Sequence, residues 1–265
     1  MIHWHNDTVS SCFVYRSESP VPGETCFSQL NIWTHLLGFI LVLYIVPGLY
    51  QELPSGTSWV DKLIFGEYVF SVLLCLALST LYHLFRAGSA DSYTFWYRMD
   101  ILGICILIAS SYIICTWIAF RNELVYFFIY NSVVLTGLLI TIWMAIHPHY
   151  KATKFDKIRA VVMASVVAFG VIPVTHWIVS HSNNPDEETP SAWVPPLLMF
   201  GFYGIGFLIF YTHFPERFWP GRFDHLASSH QLVSCHIVAF PFTLTYSFIR
   251  LVFFRWSVYS GIYSS

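Results

Sequence analysis

Seven stretches of this chain are long and apolar enough to cross a bilayer, and no other property limits its fold so sharply. They lie near residues 31–50, 63–85, 98–119, 124–146, 158–180, 193–213 and 230–254. A run of about 20 apolar residues spans a hydrocarbon core as a helix. In lipid the helix also satisfies every backbone amide internally. The connections are short and carry Pro, Gly or charge, as in Leu53-Pro54-Ser55-Gly56 and Pro215 to Gly221, so none of them can hold a soluble domain. Charged residues make up 11% of the chain, against about a quarter in a soluble domain, and they fall between the apolar runs. A net charge of −2 without a basic stripe gives no reason to expect nucleic acid as a partner. Cys75, Cys105, Cys115 and Cys235 lie inside apolar runs at neither disulfide-framework nor zinc-finger spacing, and read as small packing residues. Residues 1–29 lack the basic-then-apolar order of a cleaved signal, so the first apolar run reads as a span. The expected fold is an all-α integral membrane protein, a seven-transmembrane helix bundle with the lipid bilayer as its first partner.

Basic residues set the expected orientation. With seven spans, the N-terminus and the second, fourth and sixth loops share one side, which carries Arg16, Arg86, Arg98, Lys151, Lys154, Lys157, Arg159, Arg217 and Arg222. The other side carries Lys62, Arg121, Arg250 and Arg255, with the acidic run Asp186-Glu187-Glu188. Nine against four predicts a cytoplasmic N-terminus and an external C-terminus, the reverse of a G-protein-coupled receptor.

Ionisable groups inside a span are costly and are functional candidates by default. Ser79 and His83 lie four apart at the end of the second span and share one helix face. Asp100 falls early in the third span; His230 opens the seventh, and His236 follows. The second span ends on the side where the third and seventh begin, so these groups are expected at similar depth near the cytoplasmic face. Taken singly, an interfacial histidine is more often a hydrogen-bonded anchor than a ligand. Two or three imidazoles and a carboxylate at one depth, on three helices, suit a zinc ion with one open or water-filled position. His147, His149, His176, His181 and His213 read as interfacial, and the tryptophans at span ends as aromatic belts.

Three motifs resemble one known family. Asn31-Ile32-Trp33-Thr34-His35-Leu36-Leu37-Gly38 is similar to the first-span signature of the progestin and adipoQ receptor (PAQR) family, which includes haemolysin III-related and adiponectin-receptor-like proteins. Ser79-x-x-x-His83 followed by Asp100 resembles its second motif. Pro215 to Asp224, then Ser229-His230-Gln231, resembles its last. The resemblance implies seven helices, a cytoplasmic N-terminus and a zinc ion held by three histidines, with His83 and His230 as two of them. It places Asp100 and Ser79 beside the metal-bound water, as the catalytic pair of a ceramidase-like lipid amide hydrolase with ceramide as substrate. It also implies a receptor, so that an extracellular protein or a steroid is a further partner, in the plasma membrane or an endomembrane. The receptor reading needs only a structural zinc, with no catalysis. A transporter fits less well, because the ionisable groups sit at one end and no paired broken helices carry midplane charge.

The chain departs from the family pattern twice. The family's last helix reads His-x-x-x-His, whereas four residues after His230 comes Ser234, and His236 lies six away. Six residues turn an ideal helix through about 240° and raise it about 9 Å, off the shared face. Deleting Val233-Ser234 restores the spacing, so the pair reads as an insertion that a bulge could absorb, leaving His236 as the third metal ligand beside His83 and His230. Residues 9–29 read as a second, disordered insertion within an N-terminal segment 1–29, ahead of a seven-transmembrane domain over 30–258. Its Val-Ser start and Cys-Phe-Ser-Gln end fit translated intron sequence.

Overall fold

The second and third helices start on serine caps set before their apolar runs. Ser58 precedes α2 (Trp59–Phe85); its hydroxyl accepts from the Asp61 amide at 3.1 Å and donates to the Asp61 carboxylate at 2.7 Å. Ser89 caps α3 (Ala90–Phe120) by accepting from the Ser92 amide at 3.1 Å. Each serine satisfies an amide that the first turn leaves without a partner. The computed structural model describes residues 22–51, 53, 57–86, 88–147, 155–181, 194–215, 217–219, 229 and 232. The remaining long elements are α1 (Pro22–Gln51), α4 (Leu124–Ile146), α5 (Asp156–Phe169), α6 (Val171–His181) and α7 (Val194–Thr212). The described elements are all helical.

Five helical stretches among the described residues are long and apolar enough to cross a membrane: Leu30–Gln51, Trp59–Phe85, Ala90–Phe120, Leu124–Ile146 and Ile158–Ser180. A shorter apolar stretch, Gly201–Thr212, lies within α7. The expected seventh span, 230–254, lies outside the described residues apart from Leu232, which is helical. Helix α1 reaches back to Pro22, so its first eight residues fall in the stretch 9–29 expected to be disordered; residues 9–21 lie outside the described residues.

The fifth span is two helices rather than one. Pro173 has no amide to offer the Phe169 carbonyl, so the ladder breaks there, and the Gly170 amide turns back to Val167 O at 3.1 Å. Across this break, the Tyr112 hydroxyl of α3 donates to the carbonyls of Val166 (2.7 Å) and Val167 (3.1 Å). At its far end α7 closes on His213, in the left-handed region at φ 51°. The amide of His213 meets Phe210 O and that of Phe214 meets Ile209 O, the paired bonds of a Schellman ending.

Helix α3 is the centre of the bundle, with 56% of its most apolar stretch buried against 17% for the first span. One face joins a core from α1 and α2, including Val42, Phe65, Tyr68, Val72, Cys75 and Leu76, against which Tyr203 of α7 packs. The other joins α4 and α5 through Ile101, Cys105, Ile108, Val134, Leu138 and Val166. Cys75, Cys105 and Cys115 are free thiols within this packing, as their positions in apolar runs predicted. The outer surface is apolar as well, with Tyr44, Phe70, Val125 and Leu208 exposed. Lipid rather than water solvates such a surface.

Helices α2 and α3 pack antiparallel in one constant register. Asp61 accepts from Trp117 Nε1 at 2.8 Å, and Glu67 accepts from Ser110. Cys75 lies against Gly103, and Ser79 lies by Asp100. A β-carbon at Gly103 would lie 3.2 Å from Cys75 Cα and 3.3 Å from Leu78 Cδ1, so only glycine permits this approach.

Candidate metal and hydrolase site

The site lies at the end of the bundle where α2 finishes. Ser79 and His83 face inward one turn apart, at 6% and 1% exposure, because the 3.6-residue period returns them to the face that α3 covers. Asp100 comes level with Ser79 in the antiparallel register, where the two side chains are close enough to interact. One carboxylate oxygen, Asp100 Oδ1, is shut away from solvent and has no hydrogen-bond partner among the described residues. The structure thus places Ser79 and Asp100 at one depth, with His83 on the next turn of α2.

Aromatic rings close this region. The Tyr82 ring lies 5.0 Å from that of His83 and 6.0 Å from both Tyr93 and Tyr97, which stack on each other. Basic side chains collect beside them. Arg86 lies over Tyr82; Arg159, 6% exposed, donates to the Tyr97 hydroxyl at 3.1 Å; and Arg98 reaches the last carbonyl of α4 at 3.3 Å. These three belong to the basic side read from the sequence.

His35 was missed as a site residue. It stands on α1 at 3% exposure with its ring centre 5.4 Å from that of His83. Its Nδ1 lies 2.7 Å from the carbonyl oxygen of Asn31, one turn earlier. The Asn31 side chain is fully buried, with both amide atoms lacking a hydrogen-bond partner among the described residues. A histidine within an apolar span is itself the available signal, but residue 35 had been read only as part of a motif.

Of the expected ligands, His230 and His236 lie outside the described residues; Ser229, just before His230, is helical and buried. Among the described residues no group of three His, Cys, Asp or Glu side chains is gathered as a metal site requires. The described part still fits such a group in kind. It offers two buried imidazoles, a carboxylate oxygen without a partner and a buried amide without a partner, all in a water-poor interior.

Two carboxylates elsewhere in the spans escaped the sequence reading. Glu67 bonds Ser110 well along the bundle from His83. Asp61 bonds Trp117 and lies 3.8 Å from Arg121 at the opposite end. His176, expected to be interfacial, is held by the Tyr130 hydroxyl at 2.8 Å and packs on Phe120 and Tyr126.

The apolar exterior, the helical spans and the polar interior define a multi-pass integral membrane protein. The chain belongs to the haemolysin-III related family, whose profile matches residues 28–243. It is 30% identical over 232 residues to human progestin and adipoQ receptor family member 3, covering 83% of this chain and 73% of that protein. It is 28% identical over 262 residues to heptahelical transmembrane protein 1 of Arabidopsis thaliana, covering 96% and 75% of the two chains. The adiponectin receptor protein of Drosophila melanogaster is 26% identical over 258 residues, with 92% of this chain and 57% of that protein covered.

Proposed function

We propose that this chain is a PAQR-family membrane receptor with a zinc-dependent lipid amide hydrolase activity of ceramidase type, in a seven-span bundle with a cytoplasmic N-terminus. The observation that carries the reading is the juxtaposition of buried Ser79 and half-buried Asp100 beside His83, with Asp100 Oδ1 shut away from solvent and left open. Such an oxygen inside a membrane bundle is costly unless something polar meets it. His83 and His230, with a further histidine, would hold the zinc. The ion would supply Lewis acidity and a water acidic enough to attack an amide near neutral pH.

The protein's own groups do the rest. Ser79 would hold the carboxylate of Asp100 in place, leaving Oδ1 to take the proton of the attacking water and return it to the leaving amine. The tyrosine cluster and the aliphatic core limit water to the molecules the reaction uses. A ceramide's acyl chains can approach sideways between helices from the lipid.

Seven spans are supported by the Arabidopsis relative, which is named heptahelical, and orientation by the basic layer of Arg86, Arg98 and Arg159. A receptor role with purely structural zinc draws support from relatives named as progestin, adipoQ and adiponectin receptors. Purified full-length protein separates the two. In the enzyme reading Asp100→Ala keeps its zinc and loses ceramide hydrolysis by about 100-fold or more, the scale of a positioned general base. Zinc bound in a parent that turns over no ceramide would leave only the structural role.

A further inference from the structure

We propose that His35, on α1, is a ligand of the zinc ion in this chain, taking the place that a histidine four residues after His230 would fill. The inference rests on the zinc reading above and goes beyond it in naming a residue on a fourth helix.

Three observations carry it. First, the ring centres of His35 and His83 are 5.4 Å apart. With Zn–N at about 2.0–2.1 Å, each ring centre lies about 3.2 Å from the metal, and two imidazoles at a tetrahedral angle then stand about 5 Å apart. Second, Nδ1 of His35 faces the Asn31 carbonyl at 2.7 Å. A carbonyl can only accept, so Nδ1 carries the proton and Nε2 of the neutral ring keeps its lone pair. A backbone carbonyl on one ring nitrogen is the arrangement that orients and fixes the tautomer of metal-bound histidines. Third, His35 is 3% exposed and His83 1%, so both rings are withdrawn from lipid and water alike. One turn before His35, the fully buried Asn31 amide has no partner among the described residues.

The spacing in the last span leaves room for such a ligand. His236 lies six residues after His230, so on a continuous helix the two cannot face one ion. His83, His230 and His35 then form a three-imidazole set drawn from three helices, with the fourth position open to water.

The test uses full-length protein in detergent, loaded with zinc or cobalt and read by competition with a chelator. His35→Ala is expected to weaken zinc by more than about 100-fold, beyond the 10–100-fold cost of removing a group that merely supports a ligand. His236→Ala is expected to change affinity less than about threefold, and X-ray absorption of its zinc form to count three imidazoles. His35→Cys keeps the metal, and its cobalt form gains a thiolate-to-cobalt charge-transfer band, which only a residue touching the ion can produce. Zinc at parental affinity in His35→Ala, two imidazoles in His236→Ala, or a metal-loaded His35→Cys without that band each overturns the proposal while leaving the zinc site standing. A parent chain that binds no zinc removes the broader reading as well.

Discussion

Replacing Gly103 by alanine tests the close approach that sets Asp100 against Ser79. The added β-carbon meets Cys75 Cα at 3.2 Å, Leu78 Cδ1 at 3.3 Å and Leu78 Cβ at 3.5 Å, where carbon atoms prefer about 3.5–4.0 Å. One of these contacts is backbone, so α3 must withdraw by a few tenths of an ångström. Overfilling of this kind costs about 1–3 kcal/mol. Alanine also raises helix propensity by about 1 kcal/mol over glycine, which partly hides the loss. Gly66 of α2 supplies the control, because a β-carbon there meets nothing within 4 Å and gains the propensity alone. The difference between Gly103→Ala and Gly66→Ala therefore isolates the clash. At about 2–4 °C per kcal/mol for a protein of this general size, Gly103→Ala should melt roughly 2–12 °C below Gly66→Ala in the same detergent. Ser79 lies one turn from Cys75, so the same withdrawal moves Asp100 away from Ser79 and lowers hydrolysis in the proposed enzyme. Equal melting temperatures for the two variants would refute the packing argument.

Two further outcomes follow from the polar groups between helices. Ser110→Ala removes the donor to Glu67 and leaves a carboxyl group without it inside the bundle, so it should lower the melting temperature more than Glu67→Met, which removes the need for a partner; the gap expected is about 1–3 kcal/mol. Tyr112→Phe deletes the hydroxyl that bonds Val166 and Val167 beside the break at Gly170, and should cost about 1 kcal/mol, read as faster amide exchange over residues 166–174 than in the parent.

Much of the bundle is legible in the sequence because lipid imposes one rule on every span. The expected segment 124–146 coincides with α4, and 158–180 with the stretch Ile158–Ser180. Helices α2 and α3 begin several residues before the segments expected at 63 and 98, at Trp59 and Ala90. Their opening turns mix polar and apolar residues, which lowers the average hydropathy, while the signals that start them are the single serines Ser58 and Ser89. The break at Gly170 was masked in the same way. An apolar average is blind to one missing amide at Pro173.

The site divides along similar lines. Ser79 and Asp100 could be paired from topology, since their helices are antiparallel neighbours joined by a short turn. His35 could not be brought to His83 by that route, because how α1 rotates against α2 depends on side-chain packing rather than on connection length. Glu67 was lost for a different reason. Two carboxyls in 27 mostly apolar residues barely change the mean, and the partner of Glu67, Ser110, lies on another helix.

The constant register of α2 and α3 also governs how this protein can move. Four contacts at successive depths, Asp61–Trp117, Glu67–Ser110, Cys75–Gly103 and Ser79–Asp100, all belong to one alignment. Sliding α3 by a single turn would rupture both hydrogen bonds together, part Ser79 from Asp100 and drive side chains into the narrow gap at Gly103. Axial shear between these helices is thus opposed at every depth. A stimulus arriving at the Asp61 end must travel as a tilt of the whole hairpin, carried like a lever, or through α1 and the helices on its other side.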